Sequence, residues 1–226
     1  MKNYVITIAR GFGSGGKDIG NRLSKELGIP CYERQILEMA SEQSGLSQEL
    51  FKNVDEKLPT GFLRKRLQGF PSTNYVVSPT EKHFVSDVNL YNIQARIIRD
   101  LANTESCIII GKCADVVLRN FGNVISVYIE APRDACVQSI MEKMSVTEQE
   151  ANRMIYHTDK YRADYYKYYS GGGCWTNPTN YDLTLNSARI GRQQCVELIK
   201  DYLKIKGFIE AVSYTHLRAH ETLANL

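Results

Sequence analysis

The stretch Gly11-Phe12-Gly13-Ser14-Gly15-Gly16-Lys17-Asp18 constrains this chain more than any other. Its glycines let a backbone turn its N–H groups inward, and its neighbours give it context. The preceding run, Val5-Ile6-Thr7-Ile8, has the near-continuous apolar character of a parallel strand covered on both faces. After it, Ile19, Leu23 and Leu27 recur at helical spacing and stop at Gly28, a C-terminal signal. A glycine-rich turn between strand and helix gathers backbone donors at the positive end of the helix, which suits a phosphate. Gly11, Gly16 and Lys17 keep the spacing G-x-x-x-x-G-K, with Lys17 as a mobile cation able to follow a phosphate. Gly13, Ser14 and Gly15 complete the loop. Asp18 stands where Ser or Thr usually ligates Mg²⁺. Two readings of it stay open: a carboxylate turned toward the helix N-terminus, or one that holds Mg²⁺ through water. Ser14 is a candidate substitute hydroxyl.

The rest of the chain repeats the alternation. Further apolar runs lie at Cys107–Ile110, Val124–Ile129 and, interrupted by polar residues, Tyr181–Leu185. Helical patterns lie between them. Val88, Tyr91, Ala95, Ile98 and Ala102 form one stripe, Pro132 opens a helix running toward Met144, and Thr147-x-x-Glu150 is a capping box. A closing helix is predicted over about 189–204. Strand and helix in this order predict an open α/β parallel sheet flanked by helices. Residues 45–82, rich in Pro and Gly, read as an inserted, mobile lobe.

Composition narrows the function classes. Hydrophobic residues at 43% and charged residues at 23% exclude wholesale disorder and a disulfide-dense scaffold. A net charge of +3 falls short of a nucleic-acid footprint, and Arg64-Lys65-Arg66 reads as solvated surface. No run approaches the roughly 20 apolar residues of a membrane span. The six cysteines form no C-x-x-C pair and several sit in apolar runs, so they read as buried free thiols in a reducing, cytoplasmic compartment. Residues 209–226 read as a tail. Its last sixteen, from Ala211, look like foreign read-through and are set outside the fold, and His216 and His220 lack a third metal ligand.

With the stretch Ile6–Lys17 that ends in the glycine loop, Tyr32-Glu33-Arg34, Ile109-Ile110-Gly111-Lys112-Cys113-Ala114-Asp115, the stretch Asp159–Tyr166 and Asn180–Ser187, the chain resembles the cytidylate kinase-like family. The resemblance runs from about residue 4 to 205. It implies a P-loop core (1–31, 104–150 and 178–208), an acceptor-binding helical insertion (about 32–103) and a lid (about 151–177). It also implies use of ATP and Mg²⁺ to phosphorylate a nucleoside monophosphate, a small-molecule nucleotide substrate. Residue by residue, the loop and Lys17 would hold the donor β- and γ-phosphates, while Tyr32, Glu33 and Arg34 would lie toward the acceptor. Lys112 would meet the acceptor phosphate, and Asp115 would order that cation or contact the acceptor.

Two departures stand out. Lys112 replaces the family's usual arginine, exchanging a bidentate clamp for a point charge. Ile110 stands where better-known monophosphate kinases carry an aspartate, a gap Glu33 is a candidate to fill. Another small-molecule kinase and a nucleotide sensor with weak turnover remain the alternatives.

Between 151 and 170, Arg153, Lys160, Arg162 and Lys167 face only Asp159 and Asp164, a cationic excess that suits a closing lid over transferring phosphate. Arg162, inside a family marker, is taken as functional and Lys167 as solvated. The tyrosines at 156, 161, 165, 166, 168 and 169 read as packing, with Gly171-Gly172-Gly173 as a hinge.

Overall fold

The computed structural model describes residues 3–55 and 85–210. The segment holding Arg64-Lys65-Arg66 and most of the expected lobe, and the tail with His216 and His220, lie outside the described residues. Five strands form one parallel sheet: β1 (Val5–Arg10), β2 (Cys31–Tyr32), β3 (Cys107–Ile110), β4 (Val124–Glu130) and β5 (Leu183–Asn186). Their spatial order is β2-β3-β1-β4-β5. Ile8 of β1 pairs in register with Ile110 of β3 and Val127 of β4.

β1 is buried at every position, which explains its lack of polar alternation. The period of two sends its residues to separate layers. Ile6 and Ile8 pack under α1 (Gly16–Leu27) and α9 (Arg192–Ile205), against Ile19, Leu23, Val196, Ile199 and Leu203. Val5 faces the opposite layer, against Ile98 and Ala102 of α4 (Asp87–Thr104). Each such side chain contributes about 1.5–3 kcal/mol of burial. A separate cluster joins α4 to α2 (Gln35–Ser44) and α3 (Gln48–Val54) through Leu37, Ala40, Phe51, Leu90 and Ile93. Between β3 and β5 run the short α5 (Ala114–Val117), α6 (Arg133–Met144) and α7 (Glu148–Tyr169).

Two expectations change in detail. β2 and α2 add an edge strand and a helix that no sequence pattern announced. The closing helix begins at Arg192, because Gly191 at φ 92°, ψ 146° separates it from the one-turn α8 (Ser187–Ile190). The glycine run ends α7: Gly171 and Gly172 have φ of 77° and 104°, and Gly172 N–H donates to the Lys167 carbonyl. None of the six cysteines forms a disulfide; four are buried, Cys31 is half-buried and Cys174 is exposed. Among the described residues no helix is long and apolar enough to cross a membrane.

Candidate functional site

Parallel strands that end at one edge gather their following loops there, and a crevice opens where successive connections leave in opposite directions. β1 lies at that point, with β3 on one side and β4 on the other. The loop after β1 turns into α1 through Gly15 at φ 84°, ψ 8°, and no side chain caps the helix. Its first-turn N–H groups therefore face the cleft available to an anion. Gly13 has φ 92°, and a Cβ there would lie 2.8 Å from the Cys136 carbonyl oxygen, so no other residue fits without a shift.

The resulting cleft has a volume of about 690 Å³. Gly11, Gly13, Gly15, Gly16, Lys17, Asp18 and Glu33 line it, with Ser139 and Lys143 of α6 across from them. Lys17 extends to Glu33 at 2.5 Å, and Arg10 reaches the same carboxylate at 3.3 Å. Burial pushes the Glu33 carboxyl up, but the Lys17 hydrogen bond and the charges of Arg10, Lys17 and Lys112 outweigh it and leave it below its ordinary value. The acid is thus held ionised between the loop lysine and a buried arginine.

Asp18 meets two arginines, Arg22 at 3.1 Å and Arg192 at 3.4 Å. Arg192 also donates to the Ser139 hydroxyl at 3.2 Å, which spans the cleft from α9 to α6. Ser14 is buried, and its hydroxyl faces the Gly11 and Ile129 carbonyls at 2.8 and 3.0 Å, steadying the loop from beneath. Asp159 of α7 accepts the Phe12 N–H at 2.8 Å. Burial pushes its carboxyl up to about 6 against the pull of that amide and of Arg162. Arg162 donates to the Arg10 carbonyl at 3.2 Å and lies 5.8 Å from the Phe12 ring centroid. Exposed Arg153, Lys160 and Lys167 take no part in this arrangement.

A second, smaller cavity of about 20 Å³ adjoins the first, and both are lined by Arg10 and Arg162. Its other walls include Gly111, Lys112, Asp115, Tyr165, Tyr166 and Trp175. Gly111, Lys112 and Cys113 have successive φ of 75°, 61° and 51°. Two adjacent non-glycine residues in the left-handed region cost of order 1–2 kcal/mol each, a strain that recurs at functional sites. The turn buries the Lys112 ammonium, 3% exposed, in an ion pair with Asp55. Asp115 is engaged elsewhere, by a hydrogen bond from Tyr166 and by the backbone at 115 and 116.

Of Tyr32, Glu33 and Arg34, Glu33 meets Lys17, and Arg34 is exposed beside it on a neighbouring hollow. Tyr32 is not brought to the cleft. The strand period turns it to the far face, where it packs near Ile109 and donates to Glu105 at 2.8 Å. Sequence reasoning missed Arg10, Arg192 and Asp55. Arg10 and Asp159 stood inside the marker stretches, and that was their only signal; Arg192 and Asp55 had none.

Sheet order, glycine loop and paired cavities define a P-loop kinase fold, the class to which solved neighbours also point. An uncharacterised protein from Eubacterium ventriosum shares the fold with a TM-score of 0.66 and 24% identity, covering 89% of this chain and 99% of its own. Shikimate kinase from Bacteroides thetaiotaomicron aligns with a TM-score of 0.50 and 13% identity, covering 89% and 98%. Within that class, the chain belongs to the cytidylate kinase-like family, which it matches over residues 5–189. No curated protein matches it.

Proposed function

We propose that the protein is an ATP-dependent phosphotransferase that moves the γ-phosphoryl group to a small acceptor, with CMP or dCMP the first choice. The observation that carries this is the junction of the two cavities. A cleft suited to polyphosphate and a pocket holding a buried lysine share Arg10 and Arg162, so cations line the path between donor and acceptor. Phosphoryl transfer asks mainly for such positioning and charge. Family membership supports the nucleotide acceptor.

The residues fit ATP: the uncapped α1, the glycine cradle, Lys17 and Arg192 would bind its phosphates. Mg²⁺ is held largely by phosphate and water in such sites, and Asp18 and Glu33 are carboxylates on the cleft able to reach it through water. Bound Mg²⁺ would supply charge neutralisation on the β- and γ-phosphates. Lys17 would leave Glu33 for the phosphates, Arg162 would stabilise charge during transfer, and Lys112 would orient the acceptor. Free thiols and the balance of charge favour a cytoplasmic protein without nucleic-acid or membrane partners.

The test follows ADP release by the full chain with MgATP and a panel of nucleoside monophosphates. Lys17→Ala is expected to lower turnover at least about 100-fold and to weaken ATP binding, with circular dichroism unchanged. Equal turnover by the variant would sink the donor-site assignment. A nucleotide sensor is the second reading, favoured by Lys17 resting on Glu33 and by Ile110 where relatives carry an acid. Tight ATP binding without turnover on any acceptor would select it.

A further inference from the structure

Two facing helices bury uncharged polar groups that have no partner among the described residues. These are the Tyr91 hydroxyl and both amide atoms of Gln94 on α4, and the Tyr165 hydroxyl on α7. All three residues are at most 2% exposed. A buried polar atom left unpaired costs about 1–3 kcal/mol, and native interiors pair nearly all of theirs. One orphan needs little comment, but three on adjoining turns do.

The surrounding aromatic residues make the contrast plain. Tyr166 bonds Asp115, Tyr128 bonds Glu130, Tyr169 donates to the Asp87 carbonyl at 3.4 Å, and Tyr181 donates to the Trp175 carbonyl at 2.7 Å. Tyrosines that only pack have found partners. Tyr165, which has not, lines the small cavity with Lys112, Asp115 and Arg162. Tyr91 meets its ring edge-on at 5.9 Å, and Gln94 follows Tyr91 by one helical turn.

We infer that Tyr165, backed by Tyr91 and Gln94, recognises the uncharged hydrogen-bonding part of the acceptor, its base edge or its sugar hydroxyls, while Lys112 meets its charge. This rests on the kinase reading above and adds to it the residues that set acceptor specificity. Phenol and amide groups both donate and accept, which matches a base edge or a diol and is wasted on a bare phosphate. The cavity now has room for about one water, so an acceptor enters only as its walls part. Parting them breaks no hydrogen bond made by the three orphaned groups.

The experiment compares the full-length wild type with Tyr165→Phe and Tyr91→Phe. It measures KM for CMP, KM for ATP and the melting temperature without ligand, and runs ribose 5-phosphate beside CMP as an acceptor without a base. The inference expects KM for CMP to rise about tenfold in Tyr165→Phe, KM for ATP to hold, and the melting temperature to stay or rise. A parallel loss with ribose 5-phosphate assigns the contact to the sugar, and a loss confined to CMP assigns it to the base. An unchanged KM for CMP, or a melting temperature lowered by several degrees in both variants, overturns the inference. Wild type without Lys17-dependent turnover on any acceptor overturns the kinase reading and this inference together. Wild-type turnover that Tyr165→Phe matches overturns the inference alone.

Discussion

Glu33 takes Lys17 at 2.5 Å and Arg10 at 3.3 Å, Asp18 takes Arg22 and Arg192, and Lys112 takes Asp55. Each of these cations is therefore held by a carboxylate that a phosphate can replace, which keeps long side chains ordered before any ligand arrives. Asp115 forms no ion pair among the described residues, although the charge of Arg119 pulls its carboxyl down. Burial pushes its carboxyl from 3.8 up to about 6, while Tyr166 and nearby backbone amides pull the other way. The folded protein holds this proton more tightly than the unfolded chain, so the group's contribution to stability is present at low pH and lost as pH rises from about 4 to 6. Asp115→Asn is expected to be the more stable form above that window, by up to about 3 kcal/mol at 1.36 kcal/mol per unit, with the difference shrinking toward pH 4. Urea denaturation of both proteins between pH 4 and 8 checks this. A difference that is constant with pH would mean that the carboxylate stays ionised in the folded protein throughout.

Among the elements, α7 does the most to join the glycine loop to the smaller cavity. It starts at a complete capping box, with the Thr147 hydroxyl accepting from Glu150 N–H and the Glu150 carboxylate accepting from Thr147 N–H. Its first turns bury Ala151 and Ile155 against Cys136, Val137 and Ile140. Two turns later Asp159 grips the Phe12 amide, and its last turns pack Tyr165 and Tyr169 on Tyr91. Anchoring at both ends makes the helix a strut between the phosphate loop and α4. Thr147→Ala removes one end of the box and should cost about 1 kcal/mol. Hydrogen exchange should speed up at residues 148–152 and stay unchanged at 160–169; equal acceleration along the helix would show that its two halves open as one unit.

For the whole molecule, the cleft at the glycine loop draws on residues far apart in the chain. Gly15 lies against Arg192, and Arg192 bonds Ser139, so β1, α1, α6 and α9 meet around one cleft. A nucleotide bound there is held by the folded arrangement and by no part of the unfolded chain. ATP at 100 times its Kd should add about 2.7 kcal/mol, raising the melting temperature by roughly 5–10 °C for a chain of this size. Differential scanning fluorimetry should show that rise in the wild type and not in Lys17→Ala. A similar rise in both would locate ATP binding elsewhere.

The amino-acid sequence by itself determined the strand–loop–helix unit at residues 5–27, the four principal strands, the capping box and the burial of Tyr166, Tyr168 and Tyr169; Tyr156 and Tyr161, read with them as packing, stand exposed instead. These are local demands: a strand buried on both faces must be apolar throughout, and a left-handed loop position must be glycine. Only the tertiary structure decided which charges meet. The two-residue strand β2 is too short to show a period, so nothing in its sequence could say that Glu33 faces Lys17 while Tyr32 faces Glu105. Asp55 reaches Lys112 across 57 positions and Arg192 reaches Asp18 across 174. Such pairings follow from sheet order and helix packing, which close distances that no spacing along the chain records.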